Sequence, residues 1–207
     1  ADMGVNTERF VTLPSARRTA ILLLKPHAAG TACEAWFTAL ETAERTAGPD
    51  PGFGSVSAIV DNVRACDGGL GLMDLARKAN KNNDPIVRAG PVSPFRGDTD
   101  VTTGTIRIST SFNLCAATQT LVQELSNLTR AGDLTAVSTE AAAGDVSRAD
   151  FIRRIERIEY ETGVRNVLTA FDACKTRWGC PQGATSEKEW ARNVRGFDDY
   201  FARLLSN

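Results

Sequence analysis

Two glutamates, Glu124 and Glu159, sit among neighbours whose types and spacing could do chemistry. Glu124 lies in TLVQELSNLTR (Thr120 to Arg130) between Gln123 and Asn127, and Glu159 lies in FIRRIERIEYETGVRN, ahead of Thr162 and Asn166. With a helical step of about 100° and Ile155 as origin, Glu159 falls at about 40°, Thr162 at about −20° and Asn166 at about 20°. All three continue the apolar stripe of Phe151, Ile152, Ile155 and Ile158. With Leu121 as origin in the earlier helix, Glu124 falls at about −60°, at the edge of the apolar face, and Asn127 lies further round the same side. An inward carboxylate must be compensated, because burying it unpaired is costly. One compensation is a working site: one carboxyl raised in pKa by burial, the other kept ionised by hydrogen bonds from Asn127, Asn166 or Thr162. Such a pair suits hydrolysis of a glycosidic, amide or ester bond. Glu124 and Glu159 are therefore the candidate catalytic residues, and Gln123, Asn127 and Asn166 the candidate substrate-binding ones. The other compensation is architectural, an ion pair that cements two helices, with Arg165 or a more distant arginine as partner.

The elements that would carry these residues can be read from periodicity. Helices are expected over Thr31 to Ala47, where Cys33, Trp36, Phe37 and Leu40 recur at helical spacing before the GPDPG turn, and over VSAIVDNVRAC and LMDLARKAN. The segment KNNDPIVRAGPVSPFRGDTD reads as a loop with one short extended piece at IVRA. TGTIRIST (Thr103 to Thr110) gives a strand, with GDTD before it as a turn. The Glu124 helix follows, with Leu114, Ala117, Leu121, Leu125 and Leu128 on one face and Gly132 as its stop. DLTAVSTEAAAGD reads as a small-residue linker. Ser147 then caps the longest helix, with Asp150 three residues on, and that helix runs to about Cys174. A last helix begins at TSEKEW, where Trp190, Phe197, Tyr200 and Phe201 read as core packing. The fold class is α+β, a mainly α-helical single domain over 1–207 with a small β-sheet or hairpin.

Composition narrows the function classes. The chain has 207 residues, 42% hydrophobic and 24% charged, with a net charge of −1. Nothing in that balance attracts nucleic acid or anionic lipid, and no apolar run approaches the roughly 18 residues of a membrane span. The glycines of GGLG (Gly68 to Gly71) fit neither a P-loop nor a dinucleotide fingerprint. Five cysteines (Cys33, Cys66, Cys115, Cys174, Cys180) contain no C-x-x-C pair, which argues against structural zinc. Two disulfides plus one free thiol are expected for an exported chain, with Cys174–Cys180 the easiest local bridge; five reduced thiols in a cytosolic protein are the alternative. A thiolate at Cys115 paired with the lone His27 is a further nucleophilic possibility, without a spacing that supports it. Secretion or a periplasmic location is the expectation.

The succession TIRIS, TQTLVQELSNLTR and FIRRIERIEYETGVRN, over roughly Val101 to Cys174, resembles the core of zincin-type metallopeptidases found among bacterial secreted effectors and toxins. In that family a strand precedes the H-E-x-x-H helix and a later helix supplies a third metal ligand. The resemblance implies Glu124 as the general base, Gln123 and Asn127 at the two histidine positions, and Glu159 or Glu161 as the later glutamate. This chain departs from the pattern at both histidines, and with His27 its sole histidine a two-histidine zinc site cannot form within one chain. The expectation is an altered or metal-free, zincin-like effector or toxin domain associated with virulence: a hydrolase if it is an enzyme, without metal or cofactor, directed at a protein or cell-envelope target. An oxygen-only site for Ca²⁺, Mg²⁺ or Mn²⁺ from Glu124, Asn127 and Glu159 is the metal-bearing variant. A non-catalytic interaction protein, or pseudoenzyme, whose inward polar residues only hold helices in register is the rival.

Overall fold

A computed structural model describes residues 54–90 and 96–206. The expected helix over Thr31 to Ala47, the GPDPG turn, Cys33 and His27 lie outside the described residues. The rest is a mainly helical α+β arrangement in which one apolar helix is wrapped by the other elements.

That central element is α3 (Leu114–Thr129), preceded in chain order by α1 (Val56–Arg64), α2 (Gly69–Ala79), β1 (Ile86–Gly90), β2 (Gly97–Asp100) and β3 (Thr105–Ser109). Glu124 is its single charged residue, and side chains from Cys115 and from Ala117 through Leu128 are all buried. A helix so poor in charge can be covered on every side, and α1, α2, β2, β3 and the chain beyond residue 158 all pack on it. Asn113 caps α3 by accepting from the Ala116 amide at 3.0 Å. Apart from Gly132 as the stop, the expected α1, α2, β3 and α3 are present within a few residues of their expected bounds, and the IVRA piece is β1.

The sheet has the order β1-β3-β2, with β1 parallel and β2 antiparallel to β3. GDTD was expected as a turn and is instead β2, while the turn falls on residues 101–104. Tertiary contacts override the weak strand propensity of its Gly and Asp residues. Asp98 stands opposite Arg107 in the register and accepts from its Nε at 2.9 Å, and Thr99 turns onto α3.

The expected linker is a second correction, since Ala131–Ala143 forms helix α4. Arg130 ends α3 and opens α4, so Gly132 lies inside the first turn of a new helix instead of stopping the old one. Its alanines favour a helix, and Leu134, Val137 and Ser138 give it a buried stripe against α5 (Arg148–Ile158). Ser147 caps α5 as expected, accepting from the Asp150 amide at 3.1 Å.

The long helix continues to Cys174, but not as one regular coil. Glu159–Val164 is a π-helical turn between α5 and α6 (Arg165–Cys174). A π turn inserts one residue, so the inward face moves on by one position. Tyr160, Gly163, Val164, Val167 and Phe171 are buried, whereas Thr162 and Asn166, placed inward by uniform stepping, are only half-buried. The last helix, expected from TSEKEW, is a 3₁₀ turn at Glu189–Ala191 followed by α7 (Phe197–Ser206). The aromatic stripe is core as expected: Trp190 and Phe197 stack on Tyr200, and Tyr160 packs against Phe197 and Tyr200 at a tilt. Arg192 bridges Asp172 of α6 and Glu189, and both carboxyls are held below their ordinary range by hydrogen bonds from its guanidinium.

Two disulfides form, Cys66–Cys174 and Cys115–Cys180. The number agrees with expectation, and the local Cys174–Cys180 bridge does not exist. Cys174, buried at the end of α6, faces the chain after α1, while the following turn carries Cys180 to the start of α3. Cys115 is therefore a bridged cysteine, which removes it as a thiolate nucleophile. Among the described residues no helix is long and apolar enough to cross a membrane.

Candidate functional site

Glu124 and Glu159 are both inside the protein, at 1% and 4% relative exposure. Each is met by an amide from α3. The Gln123 side chain donates through Nε2 to Glu159 Oε2, and the Asn127 side chain donates through Nδ2 to Glu124 Oε2 at 3.2 Å. Thr99 of β2 adds a hydroxyl donor to the same Glu124 oxygen at 2.9 Å. Consecutive residues on a helix diverge by about 100°. Gln123 therefore reaches the π turn while Glu124 faces β2, and among the described residues the two amide–carboxyl pairs lie on adjacent flanks of α3.

Two glycines permit these approaches. A Cβ on Gly97 would come within 2.6 Å of Thr120 Cγ2 and 3.1 Å of Glu124 Cγ, so only a bare backbone brings β2 this close to α3. A Cβ on Gly163 would lie 2.1 Å from Gln123 Nε2. Gly163→Ala is expected to push the Gln123 amide off Glu159 and lower stability by about 2 kcal/mol, in the range for overpacking a filled site. Chemical denaturation checks this, and an unchanged midpoint would show that Gln123 moves aside freely.

The remaining candidates are elsewhere. Asn166 donates to Ser126 Oγ at 2.9 Å and lines a pocket of about 100 Å³ with Val63, Gly69, Leu72, Val122 and Trp178. Thr162 bonds back to the Ile158 carbonyl of its own helix. Glu161 is half-exposed beside Arg130 and Arg157, which leaves Glu159 as the glutamate that reaches α3. Arg165, considered as an ion-pair partner for the glutamates, lies over the Tyr160 ring. Thr99 was missed because GDTD carries no strand signal, and Gly163 because nothing in its sequence context marks a π turn.

The donor set bears on metal binding. Gln123 and Asn127 both turn N–H₂ groups toward carboxyl oxygens, and their own carbonyl oxygens, Oε1 and Oδ1, are buried without hydrogen-bond partners. In this orientation each amide serves its carboxyl as a hydrogen-bond donor. A cation shared by Asn127 and Glu124 would need the Asn127 oxygen where its N–H₂ stands. Among the described residues no three His, Cys, Asp or Glu side chains converge as metal ligands would.

The chain matches no protein-family model, and no curated protein or solved structure is similar to it at a significant level. The residues themselves thus carry the functional reading. What they can do chemically is hold two buried carboxyls with directed donors.

Proposed function

We propose that this chain is an exported effector- or toxin-like domain on a zincin-type frame whose metal-ligand positions have become amide donors, and that it acts by binding a protein or cell-envelope target. The observation that supports this most is the pairing of Gln123 with Glu159 and of Asn127 with Glu124. In the family pattern residues 123, 127 and 159 would each give a lone pair to a metal. Here the first two give N–H groups, and the hydrogen bond from 123 to 159 ties together two positions that a metal would bridge. The two disulfides support export, since such bonds persist in oxidising compartments.

A hydrolytic role is the second reading, favoured by the burial of two carboxyls, each met by a side-chain amide donor from α3. The two readings separate through Glu124→Gln and Glu159→Gln. Under the binding proposal these variants lower the melting temperature, and toxicity to target cells falls only in proportion to the folded fraction. Full retention of folding with complete loss of toxicity or of substrate cleavage would instead establish a catalytic pair.

A further inference from the structure

We propose that the outer edge of β1 binds an extended segment of a partner polypeptide, adding a fourth strand to the sheet with an acidic residue opposite Arg88. The proposal is independent of the role of the Glu124 network. The Ile86 amide donates to the Gly104 carbonyl at 3.0 Å, and β1 runs parallel to β3. In a parallel pair the main-chain groups of alternate residues face the same neighbour, so Ile86, Arg88 and Gly90 are spent on β3. The N–H and C=O groups of Val87 and Ala89 therefore point away from the sheet, and they have no hydrogen-bond partner among the described residues. These four groups at strand spacing are a template that an extended backbone satisfies.

The side chains leave the edge open. Ile86 is 45% exposed, Arg88 and Ala89 are exposed, and Val87 and Gly90 are half-buried. Among the described residues the strand contains no proline or bulge of the kind that blocks strand addition, and α1 packs near it without burying Ile86, Arg88 or Ala89. β2, at the other edge, is buried over Gly97 to Thr99. Charge selects the occupant. Arg88 is the middle residue of the five and makes no ion pair among the described residues. A second copy pairing antiparallel about this midpoint would set arginine against arginine, which is unfavourable, whereas a carboxylate opposite Arg88 is favourable.

The test uses the full chain, isotope-labelled, titrated with two nine-residue peptides of alternating valine and threonine, one with a central glutamate and one with a central lysine. Chemical-shift changes are expected at the Val87 and Ala89 amides with the glutamate peptide, and binding about tenfold weaker with the lysine peptide. Ala89→Pro removes an outward N–H without touching the bonds to β3 and is expected to weaken binding at least tenfold. Arg88→Glu is expected to invert the peptide preference, and decides the matter should the proline variant fail to fold. No shift at these amides with either peptide, an Arg88→Glu variant with unchanged preference, or self-association through β1 in place of peptide binding would overturn the proposal.

Discussion

Replacing Cys66 and Cys174 together by alanine is expected to cost about 4 to 5 kcal/mol, from the loop-closure entropy of a long cross-link. The two residues are 108 positions apart in sequence, so their bond constrains more than half the chain in the unfolded state. Cys115–Cys180 spans 65 positions and is expected to contribute slightly less, about 4 kcal/mol on the same model. A domain of this size commonly has only about 5 to 15 kcal/mol in total. The Cys66/Cys174 variant is thus expected to lose a third or more of its stability, measured as a fall in the urea midpoint, and the fully reduced protein to unfold at moderate temperature. A reduced chain that melts within a few degrees of the oxidised one would show that the cross-links are incidental to this fold. The contrast with the expected Cys174–Cys180 bridge is physical: six residues of loop would restrict the unfolded chain far less.

Gln123→Ala carries the second large effect, a loss of about 3 kcal/mol. It removes a hydrogen bond to a carboxyl, for which about 1.5 to 3 kcal/mol is usual, and the apolar part of a buried side chain adds about 1 kcal/mol. Gln123 is 2% exposed and Glu159 4%, so water cannot readily replace the lost donor. For a domain of this size the melting temperature should fall by about 6 to 12 °C. The half-buried Thr162, whose hydroxyl bonds only within its own helix, is the matched control, and Thr162→Ala should shift the melting temperature much less. Equal shifts for the two variants would show that the Gln123–Glu159 bond contributes nothing specific.

How far the sequence discloses the site depends on the helix in question. In α3 the apolar periodicity places Glu124 at the edge of the inward face with Asn127 further round the same side, and because both lie on a regular helix the two do meet, Asn127 donating to Glu124. Beyond Ile158 the same stepping fails. The π turn rotates everything after it by one residue, so Gly163 and Val167 enter the buried face, while Thr162 bonds back to its own helix and Asn166, half-buried, still reaches Ser126 of α3. Glu159 escapes this error because it lies at the start of that turn. The β2 strand and helix α4 are illegible for another reason: GDTD and DLTAVSTEAAAGD are short or small-residue segments whose state is set by what they pack on. The disulfide partners likewise depend on which way Cys174 and Cys180 face, and spacing along the chain carries no such information.

The claim that Gln123, Asn127 and Glu159 occupy the ligand positions of a zincin-type frame is tested most directly by zinc binding to the double variant Gln123→His, Asn127→His. On the proposed frame, two imidazoles at 123 and 127 together with Glu159 would supply the three protein ligands of a zinc site. Isothermal titration with parallel metal analysis should give one zinc per chain for the double variant and no comparable binding for the parent protein. A double variant with unaltered circular dichroism that takes up no more zinc than its parent would contradict the frame, and with it the proposal that the amides stand where a metal once bound.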